Sequence, residues 1–321
     1  MLRYNITLLI NYTNALTTPK LTLIMKKIAL LVIASLIYLP VFALDVVVTI
    51  KPLHSLVQSI LGESTKAELL LDNNASPHDV QLKPSDIRSL HRANAVFMID
   101  RKFEGFMQTV INSAPADLTI IEISKDDEIK RLQPRDHKHA NQTDQDHADI
   151  DLHIWLNPEN AKSMVRAIAT RLTAIDTANS NLYQVNLNNT IDRLNQLDND
   201  LKIQLSGFEK LAFITQHDAY QYFEDHYNLN FIRAIALDSG IPPSVKLALN
   251  IQKSIKEDDV RCIFREPQYS DRLVNAIAEN AGIKTGILDP IGIELFPGPD
   301  LYFELMNNLG NNFTKCLSDR T

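Results

Sequence analysis

Basic side chains are in the minority. There are 32 Lys and Arg against 39 Asp and Glu in 321 residues, a formal charge of -7, which excludes a nucleic-acid surface spread over the whole protein. Cysteine is almost absent, with two residues, and tryptophan occurs once. The two Cys form no C-x-x-C pair, so a thiolate zinc site lacks its usual framework. Four further motifs are missing: the phosphate loop G-x-x-x-x-G-K-S/T, the dinucleotide loop G-x-G-x-x-G, the nucleophile elbow G-x-S-x-G and the helical zinc-protease motif H-E-x-x-H. Nucleotide binding, serine hydrolysis and helix-borne zinc proteolysis thereby lose their usual supports. At 45% hydrophobic, 22% charged and 7% aromatic residues, the composition also excludes collagen-like, mainly disordered and polytopic membrane chains.

What is present begins with an export signal. Met25-Lys26-Lys27 precedes an apolar run from Ile28 to Tyr38, interrupted only by Ser35, and then Pro40-Val41-Phe42-Ala43. Two positive charges, an apolar core and small residues at Val41 and Ala43 predict a secretory signal cleaved after Ala43. The run falls short of the roughly 20 apolar residues that a membrane span needs. Met25 is the expected start, because the residues before it place a weaker apolar patch ahead of the charged region. Cleavage would leave 278 residues with 28 basic and 39 acidic side chains, a net charge of -11. An acidic exported chain with nine His suits a cation better than an anion. In an oxidising compartment Cys262 and Cys316 are most simply one disulfide, stabilising by about 4 kcal/mol through chain entropy.

Hydrophobic periodicity predicts alternating strands and helices. Asp45–Ile50, Lys66–Leu71, Ala95–Ile99 and Leu118–Ile123 have strand patterns, separated by helical patterns at Leu53–Ile60, Ser85–Arg92 and Phe103–Ile111. The scheme repeats with strands at Leu211–Thr215, Phe231–Leu237, Val260–Arg265 and Lys284–Leu288, and helices at Ala219–Tyr227, Ser244–Lys256, Asp271–Asn280 and Asp300–Leu317. Crossover helices between successive strands require a mostly parallel sheet, here twice. Between the halves, Asn157 caps a helix with Pro158 at its first position, and a longer helical pattern runs from Asn179 to Ser206. That second helix would extend about 40 Å and end at Gly207. The expected fold is therefore α/β: two lobes, each with a four-stranded mostly parallel sheet, joined by one rigid helix. The lobes would span residues 44–178 and 208–321, with 179–207 as the linker.

Residues 124–150 interrupt the first lobe as a charged loop in which His137, His139 and His147 stand among Asp136, Asp144, Asp146 and Asp149. Composition predicts a solvated insertion with at most weak accessory metal binding. It is not an EF-hand, since counting from Asp144 the sixth position is Asp149 rather than Gly and the twelfth is Trp155 rather than Glu.

Four other side chains sit where parallel sheets bind ligands, beyond the carboxyl ends of strands. His78 lies in the loop after Lys66–Leu71, His217 follows Leu211–Thr215, Asp289 closes Lys284–Leu288, and His153 precedes the Asn157-Pro158 helix start. Two from each half would meet in an interlobe cleft. Three imidazoles and a carboxylate form a suitable set for tetrahedral zinc. Glu266 and Gln268 end a strand on the cleft side and could hydrogen-bond a ligand or simply cap. Trp155 and Tyr220 have the character of core or cleft lining, and His54, His91 and His226 carry no assignment.

These residues resemble the metal-binding periplasmic solute-binding proteins of ABC uptake systems, and within them the zinc branch. The resemblance rests on Ser76-Pro77-His78-Asp79 through Lys83-Pro84-Ser85-Asp86, His153-Ile154-Trp155-Leu156-Asn157-Pro158, His217-Asp218-Ala219-Tyr220, Cys262 through Gln268, and Leu288-Asp289-Pro290. It implies two α/β lobes holding a metal between them, with His78, His153, His217 and Asp289 in the ligand positions. Manganese-binding relatives carry Glu where His217 stands, so the resemblance implies Zn²⁺ as cargo and an ABC permease as partner, with the chain acting as a periplasmic monomer. The disulfide and the His-containing loop also look like the zinc branch. Some zinc members carry Glu just before the first His; Pro77 here leaves the fourth position to Asp289 or a water. A manganese or iron carrier of the same family, a periplasmic zinc hydrolase and a surface adhesin of the same fold are the rival expectations.

Overall fold

The computed structural model describes residues 44–63, 65–71, 77, 80–135, 150–236 and 245–318. The first half contains β1 (Val46–Val48), α1 (Lys51–Leu61), β2 (Glu68–Leu69), α2 (Pro84–Arg92), β3 (Ala95–Met98), α3 (Gln108–Ser113) and β4 (Thr119–Glu122). Two helices follow, α4 (Pro158–Ile175) and α5 (Ser180–Leu205). The second half contains β5 (Phe213–His217), α6 (Gln221–Tyr227), β6 (Phe231–Ala236), α7 (Val245–Glu257), β7 (Cys262–Arg265), α8 (Arg272–Ala281), β8 (Lys284–Ile287) and α9 (Leu301–Ser318).

The two sheets have the same topology, β2-β1-β3-β4 and β6-β5-β7-β8, and every pairing is parallel. Because side chains alternate across a strand, each sheet feeds two cores. Val46 and Val48 enter a large core that continues through both lobes, whereas Val47 joins Val96, Met98 and Leu90 on the outer face. In the second sheet Phe213, Cys262 and Phe264 belong to that same large core, and Ile214 and Ile263 pack outward against Ile251 and Ile277. One continuous core explains why the described residues from Leu44 onward form a single compact unit.

The connecting helices show how local signals act. Asn157 accepts hydrogen bonds from the backbone N–H groups of Glu159 and Asn160, with Pro158 in the first turn. Helix α5 runs 26 residues, about 39 Å, and buries Leu194, Leu197, Leu201 and Leu205. It lies so close to α9 that a Cβ on Gly310 would collide with Leu201. Gly207, at a φ of 93°, follows the helix end in a conformation that suits glycine. Across the second lobe, a disulfide joins Cys262 of β7 to Cys316 of α9, with Cα atoms 6.0 Å apart.

Two expectations need correction. The pattern at Phe103–Ile111 does not form one helix; a 3-10 turn at Gly105–Met107 leads into the short α3. The buried Glu104 carboxylate accepts hydrogen bonds from the Ile99 and Asp100 N–H groups and from the Thr49 hydroxyl, which holds residues 100–104 as a turn. The charged loop is also not solvated from its beginning. Ile129 is buried, Lys130 N–H donates to Asn160 Oδ1, and Leu132 N–H donates to Tyr222 Oη. His137, His139 and His147 lie outside the described residues.

Candidate metal centre

His217 is the last residue of β5, and Glu266 directly follows β7, its neighbour in the sheet. Parallel register therefore sets an imidazole and a carboxylate side by side at the carboxyl edge. From the first lobe, His153 immediately precedes the 3-10 turn Ile154–Leu156 that leads into α4. The two rings meet across the cleft with centroids 5.2 Å apart and planes at 73°. Both histidines are buried, 8% and 5% exposed, so neither is a surface group.

Each ring is backed by a carboxylate. Asp151 Oδ1 accepts from the His153 backbone N–H and lies 2.9 Å from its Nδ1. Glu266 Oε1 lies 3.5 Å from His217 Nδ1 and accepts from Tyr220 Oη at 2.9 Å. A carboxylate beside Nδ1 in both rings favours the proton on that nitrogen, the arrangement that fixes tautomer and raises basicity in metal-binding histidines. Sequence reasoning missed Asp151 although it stands only two residues before His153. The Asp-x-His spacing was the available signal.

Aromatic groups complete the walls. Phe103 meets His153 edge-on at 5.5 Å, and Tyr269 meets His217 at 6.0 Å. Trp155 donates its indole N–H to Pro290 O, joining the first lobe to the loop after β8. Together with Pro77, Glu266, Gln268 and Ile291 these residues line a cavity of about 10 Å³, room for one water-sized body.

Burial opposes protonation of His217, but Glu266 first, then Asp218 and Asp151, outweigh it and hold the imidazole pKa above its usual value. Asp289 is pushed up by burial, against the pull of three backbone N–H groups. Its Oδ1 accepts from Ile291 N, Gly292 N and Gln268 Nε2, and its Oδ2 from Ile293 N at 2.6 Å. Lys51, buried at the start of α1, donates to Ile293 O and Leu295 O and pins the same loop from the other lobe.

Of the four sequence-predicted ligands, His153 and His217 come together. Asp289 turns its oxygens into its own loop at the cavity margin, and His78 lies outside the described residues. Among the described residues no three His, Cys, Asp or Glu side chains converge closely enough to hold a metal. Pro77, the neighbour of His78, does line the cavity. The loop preceding residue 136 reaches the same neighbourhood: Arg135 pairs with Asp218 at 2.6 Å and with Glu224, and its guanidinium covers Phe231 at 3.9 Å.

The family model for ZnuA, zinc-uptake complex component A periplasmic, matches residues 46–316. A high-affinity zinc uptake system protein ZnuA of Brucella suis biovar 1 is 30% identical over 305 residues, covering 85% of this chain and 91% of the relative. A crystal structure of ZnuA is similar at 26% identity and a TM-score of 0.74, covering 86% of this chain and 99% of that one. The fold likeness extends to the solute-binding protein FpvC of Pseudomonas aeruginosa in complex with Mn²⁺, at 22% identity and a TM-score of 0.75, covering 86% of this chain and 99% of that one.

Proposed function

The chain belongs to the ZnuA family of periplasmic zinc-uptake components, and from that membership we propose that it captures Zn²⁺ between its lobes through His78, His153 and His217. The oxygen of the fourth position comes from the Asp289 side of the cleft. It is the solute-binding component of a zinc-uptake ABC system. In our reading it is exported by cleavage after Ala43, works as a monomer, carries out no catalytic step and meets the membrane only through its permease.

The observation that carries the ligand assignment is the pair His153 and His217, facing one small cavity with Asp151 and Glu266 behind them. Neutral imidazole suits a borderline ion such as zinc, whereas a harder ion favours more oxygen. Each ring must be unprotonated to ligate, so zinc and protons compete for the site.

The test is competitive titration of metal-stripped mature protein with Zn²⁺ and Mn²⁺, with the bound metal read by mass spectrometry. One tightly held Zn²⁺ that excess Mn²⁺ does not displace is expected. His217→Ala should weaken zinc binding far more than His139→Ala in the accessory loop. A preference for Mn²⁺, or equal affinity in the two variants, would overturn the assignment.

A further inference from the structure

Gln268 lines the cavity and is hydrogen-bonded to Asp289. Its Nε2 donates to Asp289 Oδ1 at 3.2 Å, and its Oε1 is buried without accepting any hydrogen bond among the described residues. The amide cannot be turned round, because its carbonyl would then face a carboxylate oxygen. The carboxylate therefore sets the orientation: the NH₂ faces Asp289, and the carbonyl is the side chain's other polar end at a cavity that Gln268 itself lines. Buried acceptors without a partner are rare in folded proteins and mark a place where a water, ion or ligand completes the bonding.

The surroundings hold this residue in place. Gln216 brackets its turn, accepting from Glu266 N–H and donating to Ser270 O. Asp289 is held in turn by three backbone amides of a loop that Lys51 grips from the opposite lobe. Asp289 Oδ1 already accepts three hydrogen bonds, more than the two lone pairs of one oxygen serve well. A neutral amide oxygen is itself a poor zinc ligand beside imidazole and carboxylate. A water bound to zinc is, however, a strong donor, and an oriented amide carbonyl is a suitable acceptor for it.

Resting on the zinc-capture reading above, we propose that Gln268 is a positioning residue for the cargo: its Oε1 accepts a hydrogen bond from the water that completes the zinc shell, and Asp289 serves by orienting that amide rather than by ligating the metal. Pro77 supplies no carboxylate from the His78 side, which leaves this corner of the cleft to furnish the last oxygen.

Three variants, Gln268→Leu, Gln268→Asn and His217→Ala, test this in the mature protein. Zinc affinity is measured by competition with a chromogenic chelator, the coordination shell by the visible absorption of the Co²⁺-loaded protein, and folding by the thermal midpoint of the metal-free form. Gln268→Leu should weaken zinc binding about tenfold, the lower range for outer-shell partners of a metal site. It should also alter the Co²⁺ bands while the metal-free midpoint holds. Gln268→Asn, which keeps both the donor and the acceptor of the amide on a shorter stem, should recover part of the affinity and move the Co²⁺ bands back toward the parent. If Gln268→Leu binds zinc as tightly as the parent with unchanged Co²⁺ bands while His217→Ala loses zinc, the role of Gln268 is overturned and the capture reading stands. If Gln268→Asn fails as badly as Gln268→Leu, the acceptor role is overturned. If His217→Ala also binds as the parent does, both fall together.

Discussion

The two walls of the cleft reach the same arrangement by different routes. In the first lobe Asp151 and His153 are two residues apart, and one carboxylate oxygen holds both the backbone N–H and Nδ1 at 2.9 Å. In the second lobe Glu266 and His217 come from adjacent strands and stand 3.5 Å apart, with Tyr220 bonded to the same oxygen. A local turn makes the first pair, whereas parallel register makes the second. The second wall consequently depends on everything that keeps β5 and β7 in place, including the disulfide from β7 to α9.

The largest effect that separates the walls is expected in stability. Replacing Cys262 and Cys316 by Ala should cost about 4 kcal/mol, since the bridge closes a separation of 54 residues. Urea unfolding measures this, and zinc protection of the variant should persist if the strand register survives. Next in size are the ligands themselves. His153→Ala and His217→Ala should each weaken zinc by more than the roughly 100-fold upper range of outer-shell changes, read by chelator competition. A wall whose histidine can be removed without loss does not bind the metal.

Asp151→Asn and Glu266→Gln sharpen the comparison, with about 10- to 100-fold weaker zinc binding expected for each. They should differ in pH dependence. The His217 pKa is held above its usual value by Glu266, so proton competition in the parent sets in above about pH 6.5, the ordinary histidine value. The sign for the metal-free protein follows from the same shift. The stability contributed by protonated His217 is fully present below that ordinary value and is lost as pH rises through the raised one. Glu266→Gln should move the inflection in zinc affinity to lower pH, and an unmoved inflection would contradict the assigned partnership.

The smallest effect concerns Glu104, the buried carboxylate behind Phe103 in the first wall. Burial pushes its pKa up to about 8, so the folded state holds its proton more firmly than the unfolded chain does. Its contribution to stability is complete below the unfolded value and falls away as pH rises toward 8. Glu104→Gln, which mimics the neutral form, should cost about 1 kcal/mol or less in acid and flatten the decline through neutral pH in thermal unfolding.

Local patterns make much of this fold legible in the sequence. β1 forms within the predicted run Asp45–Ile50, β5 overlaps the predicted run Leu211–Thr215, and Asn157-Pro158 caps α4. The failures have local names as well. At residues 103–111 the helical periodicity gave way to a buried carboxylate bonding backward to Ile99 and Asp100, an interaction that composition does not display. At residues 129–132 charge suggested solvation, yet Ile129 enters the core and Leu132 reaches Tyr222 from 90 residues away.

What the sequence determined by itself is whatever neighbours in the chain can enforce: the alternation of strands and helices, the parallel class of both sheets, and the helix cap. The tertiary structure alone decided which distant groups meet. Glu266 backs His217 because β5 and β7 lie side by side, Lys51 grips a loop more than 240 residues away, and Asp289 spends its oxygens on its own loop and on Gln268. The physical reason is range. Backbone propensity and capping act over a few residues, whereas hydrogen bonds that span lobes exist only once the shared apolar core has brought their carriers together.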